Sequence, residues 1–128
     1  MSTELIARFS VVGWEPRELT GLEGDWVAAV RMTKTFSAGI IGDSIALFVS
    51  SGLDEGQRSY FAAEHITGAF EDGRAGSFTV HHGGLESSPE TWFGHIIPGS
   101  GTFDFADLAG SARIEHDDDG AFFVISLS

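Results

Sequence analysis

The stretch "YFAAEHITGAFEDGRAGSFTVHHGG", Tyr60 to Gly84, decides the fold. Tyr60, Ala62, Glu64 and Ile66 form one row of an alternating segment, and Phe61, Ala63, His65 and Thr67 form the other. A period of two marks a strand rather than a helix. The intervening Glu71-Asp72-Gly73 fits a three-residue hairpin loop with Gly73 in the left-handed conformation. A loop of odd length pairs even-numbered residues with even-numbered ones. Phe78, Val80 and His82 then share a face with Ile66, Glu64 and Tyr60. That face is apolar enough to be an interior, and Glu64 and His82 become neighbours within it.

The same alternation recurs on both sides of this hairpin. Eight strands are expected, at about residues 3–12, 26–36, 40–51, 58–70, 74–83, 90–97, 110–117 and 121–127. The separators are turn signals: "EPRELTGLEGD", "SAG", "GLDEGQ", "EDG", "GGLESSP" and "DDDG". Seventeen glycines against three prolines suit a chain of tight turns. An eight-stranded antiparallel meander removes its edges by closing. The expected fold is all-β, a single closed β-barrel domain over residues 1–128. The exception is "PGSGTFDFADLAG", residues 98–110, where at most one helical turn is expected, around Asp104 to Leu108. Phe103, Phe105 and Leu108 are too apolar for a free loop, so this segment is expected to fold across one barrel mouth. The phosphate-cradle reading of its glycines fails, because Asp104 and Asp107 stand where an anion would sit.

Composition bounds the partners. Seven basic against 19 acidic residues give a formal charge of −12, a surface that repels nucleic acid and anionic lipid. No cysteine is present, which removes disulfides, thiolate catalysis and Cys-ligated metals. The opening residues lack a basic region followed by an apolar core, and the longest apolar run, Ala121 to Ile125, is too short for a helix to span a bilayer. A soluble, cytoplasmic protein is expected, without nucleic-acid or membrane partners.

Three segments then become familiar: "VRMTKTFSAGIIGDS" (30–44), "EHITGAFEDGRAGSFTVHHGG" (64–84) and "IIPGSGTFDFADLAG" (96–110). Together they resemble the family known as domain of unknown function 3224, placed in the allene oxide cyclase-like barrel superfamily. The glycine-rich 99–110 segment is similar to that of allene oxide cyclases and dirigent proteins. The resemblance covers nearly the whole chain and implies an eight-stranded barrel. It also implies a type of task, in which a barrel holds an apolar reactive intermediate and steers its cyclisation with little covalent chemistry of its own. The sequence departs from the family pattern in two places, at Ala38-Gly39 after "TKTFS" and at Leu47 in the next strand. Roles that rest on acids at those positions do not carry over.

The candidate chemistry centres on Glu64 and His82. A carboxylate and an imidazole in an apolar barrel suit general acid–base work, and equally a polar lock on strand register. Lys34 alternates with Met32 and Phe36, so it either points inward as the partner of Glu64 or faces solvent. Tyr60, Phe78 and Trp92 are the expected walls of a ligand site. Adjacent His81 and His82 point to opposite faces and cannot share an ion, and "HDDDG" lacks the spaced ligands of a calcium loop. No metal or other cofactor is expected. The functional expectation is a barrel that binds a small apolar or aromatic molecule, as a cofactor-free cyclase or isomerase if it is an enzyme. The alternative is a filled, non-catalytic barrel acting through oligomer or partner contacts. A homo-oligomer is expected.

Overall fold

A computed structural model of the protein describes residues 3–128. Its strands are β1 (Thr3–Arg17), β2 (Ala28–Ala38), β3 (Ile40–Ser51), β4 (Ser59–Phe70), β5 (Ala75–Leu85), β6 (Phe93–Ile96), β7 (Gly110–Asp117) and β8 (Gly120–Leu127). Each pairs antiparallel with the next, and β1 pairs with β8 from Thr3↔Leu127 to Arg8↔Phe122, which closes the barrel. The helical content of the described residues is two single 3-10 turns, Pro89–Thr91 and Phe103–Phe105. Among the described residues no helix is long and apolar enough to cross a membrane.

The β4–β5 hairpin has the expected loop. Gly73 lies at φ 92°, its N–H donates to the Phe70 carbonyl, and the Phe70 N–H donates to that of Arg74. The resulting register sets Ile66 opposite Phe78, Glu64 opposite Val80 and Ala62 opposite His82, all inward.

Two segments differ from their sequence reading. The first strand runs to Arg17 rather than ending near residue 12. It does so through a bulge at Val12: Val11 pairs with Lys34 and Gly13 with Thr33, leaving Val12 unmatched. The extra residue shifts the inward row from odd to even numbers, so Trp14 opposite Met32 faces the interior as Val11 does. The sixth strand begins at Phe93 rather than 90, because Pro89 starts a 3-10 turn that the Trp92 N–H caps on the Pro89 carbonyl.

Side-chain size divides the barrel in two. One half is solid, filled by Phe9, Phe36, Phe70, Phe78, Phe105 and Phe123 with Ile40, Ile66 and Ile125. Phe105 arrives from the 98–110 segment and lies 4.6 Å from Phe70 and 5.5 Å from Phe78, ring centre to ring centre. That segment therefore plugs its mouth through Phe105, with Leu108 packed against the core, whereas Phe103, expected to be covered as well, is 88% exposed. The segment is stitched to β5 by Thr102 N–H to the Ser77 carbonyl, Ala75 N–H to Asp104 Oδ2 and Thr79 N–H to Ser100 Oγ. In the other half the inward positions of β3 and β4 are Ala46 and Ala62, and space remains.

The plug depends on Gly101, where a Cβ would collide with the Phe105 carbonyl oxygen. Because that neighbour is backbone, Gly101→Val is expected to destabilise the protein by about 1–3 kcal/mol, the scale of forced overpacking. Chemical denaturation of the variant beside the wild type checks this, and an unchanged midpoint would mean that the plug is not packed as described.

Candidate functional site

Where the solid half ends, polar side chains from four adjacent strands converge. Glu64 on β4 is fully buried. Its Oε1 accepts from Lys34 Nζ on β2 at 2.9 Å and lies 2.8 Å from His82 Nε2 on β5. Its Oε2 accepts from Ser44 Oγ on β3 at 2.6 Å. His82 Nδ1 lies 3.0 Å from Tyr60 Oη, one inward step beyond Ala62 on β4. Register explains the convergence: Lys34 faces Ser44, Ala46 faces Glu64 and Ala62 faces His82, so the four inward rows cross at one level. No buried side-chain polar atom among the described residues lacks a partner.

Burial pushes the Glu64 carboxyl up, but the hydrogen bond from His82, the charge of Lys34 and the Ser44 hydroxyl outweigh it and hold the pKa at about 2. Burial moves Lys34 and His82 the other way, below their ordinary values, although Glu64 pulls both back. Burial, reinforced by the Glu64 charge, raises Tyr60 to about 12. Together with the hydrogen-bond geometry, these directions assign the protons. An ionised Glu64 can only accept, so His82 Nε2–H donates to it. A neutral His82 then has its lone pair on Nδ1, and Tyr60 O–H donates there. The Lys34 ammonium is walled by aromatic faces, 4.1 Å from the Phe9 ring centre and 5.1 Å from that of Phe123.

Above this cluster lies the open half. An inner chamber of about 290 Å³ is lined by Met32, Lys34, Ala46, Tyr60, Glu64 and His82, among others. An outer chamber of about 300 Å³ is lined by Trp14, Arg58, Tyr60, Glu86 and Trp92. Phe48, Tyr60, Ile114 and His116 border both, so the two chambers adjoin at these side chains. Phe48 stacks on Tyr60 with ring centres 4.9 Å apart and 15° between planes. Glu86 Oε2 accepts from the Gly56 and Arg58 backbone N–H groups and anchors the β3–β4 loop beside the mouth.

Of the residues read from the sequence, Lys34, Tyr60, Glu64 and His82 come together. Lys34 points inward and is 2 % exposed. Trp92 sits at the outer rim, its indole N–H bonded to the Leu85 carbonyl. Phe78 lies in the solid half against Phe70 and Phe105, and does not border either chamber. Sequence reasoning does not single out Ser44, Trp14, Phe48 or Ile114 as site residues. Ser44 was legible in principle, since it alternates with Ala46 and Phe48. Trp14 was not, because the bulge breaks its row. Among the described residues no three His, Cys, Asp or Glu side chains are placed to hold a metal ion.

Removing Glu64 alone strands a buried ammonium. Glu64→Leu is therefore expected to cost about 3–5 kcal/mol, the scale of a broken buried ion pair. Glu64→Gln should cost less, since the amide keeps an acceptor for Lys34. Lys34→Met combined with Glu64→Leu should recover much of the loss. Urea denaturation of the three variants tests this. A double variant no more stable than Glu64→Leu would mean that the loss does not come from the stranded ammonium.

None of the curated proteins matches the chain. A crystal structure from Shewanella oneidensis MR-1, described as a protein with unknown function from the DUF3224 family, superposes with a TM-score of 0.82 at 22% identity. The match covers 100% of this chain and 98% of that one, and at this identity it speaks to the fold. The family model described as "Protein of unknown function (DUF3224)" matches residues 5–127. With the match spanning every strand from β1 to β8, the chain belongs to the DUF3224 family.

Proposed function

We propose that the protein binds a small apolar or aromatic molecule in the open half of its barrel, with a polar group of that molecule turned toward Lys34, His82 and Tyr60. The observation that carries this reading is the combination in one place of an unfilled apolar chamber and a fully bonded ionic cluster at its floor. A barrel needs no such cluster for stability, since well-packed apolar residues do as well or better. Apolar walls with a few convergent polar groups are the general form of a ligand site. Trp14, Phe48 and Trp92 supply flat walls, and Phe78 supports the floor from behind. The resemblance to the allene oxide cyclase-like superfamily extends the reading to a cofactor-free cyclase or isomerase, a fold-level analogy. A small-metabolite library screened by native mass spectrometry should yield aromatic binders. Ala121→Trp, which fills the inner chamber from β8, should weaken their binding by about tenfold or more at unchanged melting temperature. Equal binding by the variant, or no binder for the wild type, would remove the reading.

A second reading rests on the outer surface. Leu47, Phe61 and Phe93 are 53%, 61% and 40% exposed, and they lie with Val49, Ala63 and His81 across β3 to β6. None of these is a carboxylate, on a chain of net charge −12. Two copies meeting there would bring apolar surface together without opposing like charges. Sedimentation is expected to show self-association that Phe61→Glu abolishes, and a monomeric wild type would end this reading.

A further inference from the structure

Resting on the ligand-binding reading above, we propose that Tyr60, His82 and Glu64 form a proton relay, and that the substrate class is an enolisable ketone with an apolar or aromatic body.

The geometry selects Tyr60 as the group that meets the substrate. Glu64 is fully enclosed, with Oε1 taken by Lys34 and His82 and Oε2 by Ser44. His82 is 2 % exposed and has both ring nitrogens engaged. Tyr60 is half-buried and borders both chambers, so its hydroxyl is the chemical end of the chain that runs from Ser44 and Lys34 through Glu64 and His82. The phenol is a weak acid at rest, raised by burial, and stays protonated until a substrate is in place.

The step balances without a cofactor. A C–H bond beside the substrate carbonyl breaks and its proton goes to Tyr60 Oη, while the phenolic proton moves to His82 Nδ1. The C–H electron pair becomes the C=C bond of an enolate, and the carbonyl π pair moves onto oxygen. The imidazolium so formed lies against the Glu64 carboxylate, and the enolate develops in the field of Lys34, whose ammonium shares Oε1 with His82. Running the relay backward returns a proton to the same carbon, or to a remote carbon of a conjugated enolate, which is an isomerisation. A carbonyl compound fits because the arrangement moves a proton and offsets one new negative charge, and offers no free nucleophile.

The experiment uses 2-tetralone, a neutral bicyclic ketone with an acidic benzylic C–H. Proton NMR in deuterium oxide follows exchange at that carbon, and tryptophan fluorescence follows binding. The wild type is expected to bind the ketone and accelerate exchange over buffer. At saturating ketone, Tyr60→Phe and His82→Gln should lose about 100-fold in exchange rate, the scale of a general acid–base contribution and far beyond any change in Kd. Glutamine at 82 still accepts a hydrogen bond from Tyr60 but cannot take its proton. If the wild type binds without accelerating exchange, the relay is overturned while the ligand-binding reading stands. The same holds if Tyr60→Phe exchanges like the wild type, or loses exchange only in proportion to lost binding, which would make Tyr60 a wall. Failure of the wild type to bind the ketone would overturn the substrate class and count against the ligand-binding reading itself.

Discussion

A buried carboxylate is tolerable only if the fold surrounds it with donors, and Glu64 imposes that demand on the whole barrel. Its two oxygens are met by side chains from β2, β3 and β5, and those strands can meet them only in one register. A one-residue slip in any seam would turn Lys34, Ser44 or His82 to the outside and leave a charge uncompensated in an apolar interior. The cluster therefore fixes alignment as well as occupying the centre. Breaking it is costly, yet the cluster as a whole adds little net stability.

The division of the interior follows from what stands on either side of that level. Toward the plugged end the inward positions are Phe and Ile, and the ring of Phe105 completes them from outside the strand ladder. Toward the open end the inward positions of β3 and β4 shrink to Ala46 and Ala62, and Met32, Phe48 and Tyr60 stand around the space they leave. A narrow eight-stranded barrel has room either for packed side chains or for one small ligand. This sequence uses each option over half its length, with the ionic level between them. The solid half gives the cluster a rigid backing, and the open half sets Tyr60 at the border of both chambers.

The hairpin at 60–84 was legible because everything in it is local: alternation, a three-residue loop and a glycine that permits positive φ. From those features the shared face of Glu64 and His82 followed. The orientation of Lys34 was not settled by its own strand, where either face was open. It depends on pairing with Ser44 across the Ser37–Ile40 turn, and on the demand of Glu64 two strands away. Trp14 was beyond local reading, since a bulge adds a residue without changing the composition that alternation reflects. Alternation placed Phe78 on the correct face but not at the correct height, because depth along a barrel is a property of the closed structure and not of any one strand.

The seams carry unequal shares of the entropy of folding. Seven of the eight join strands adjacent in sequence, and each forms as a local hairpin or a short connection. The eighth, between β1 and β8, links residues as distant as Thr3 and Leu127. Loop-closure entropy grows with the logarithm of separation, so the topological cost of turning a curled sheet into a barrel falls on that one seam. Across it the interior offers Ala7 and Phe9 against Phe123 and Ile125, fully or nearly fully buried. Those apolar contacts offset the closure entropy, and they belong to the solid half. The open half therefore inherits its shape from a closure that its own residues do little to stabilise.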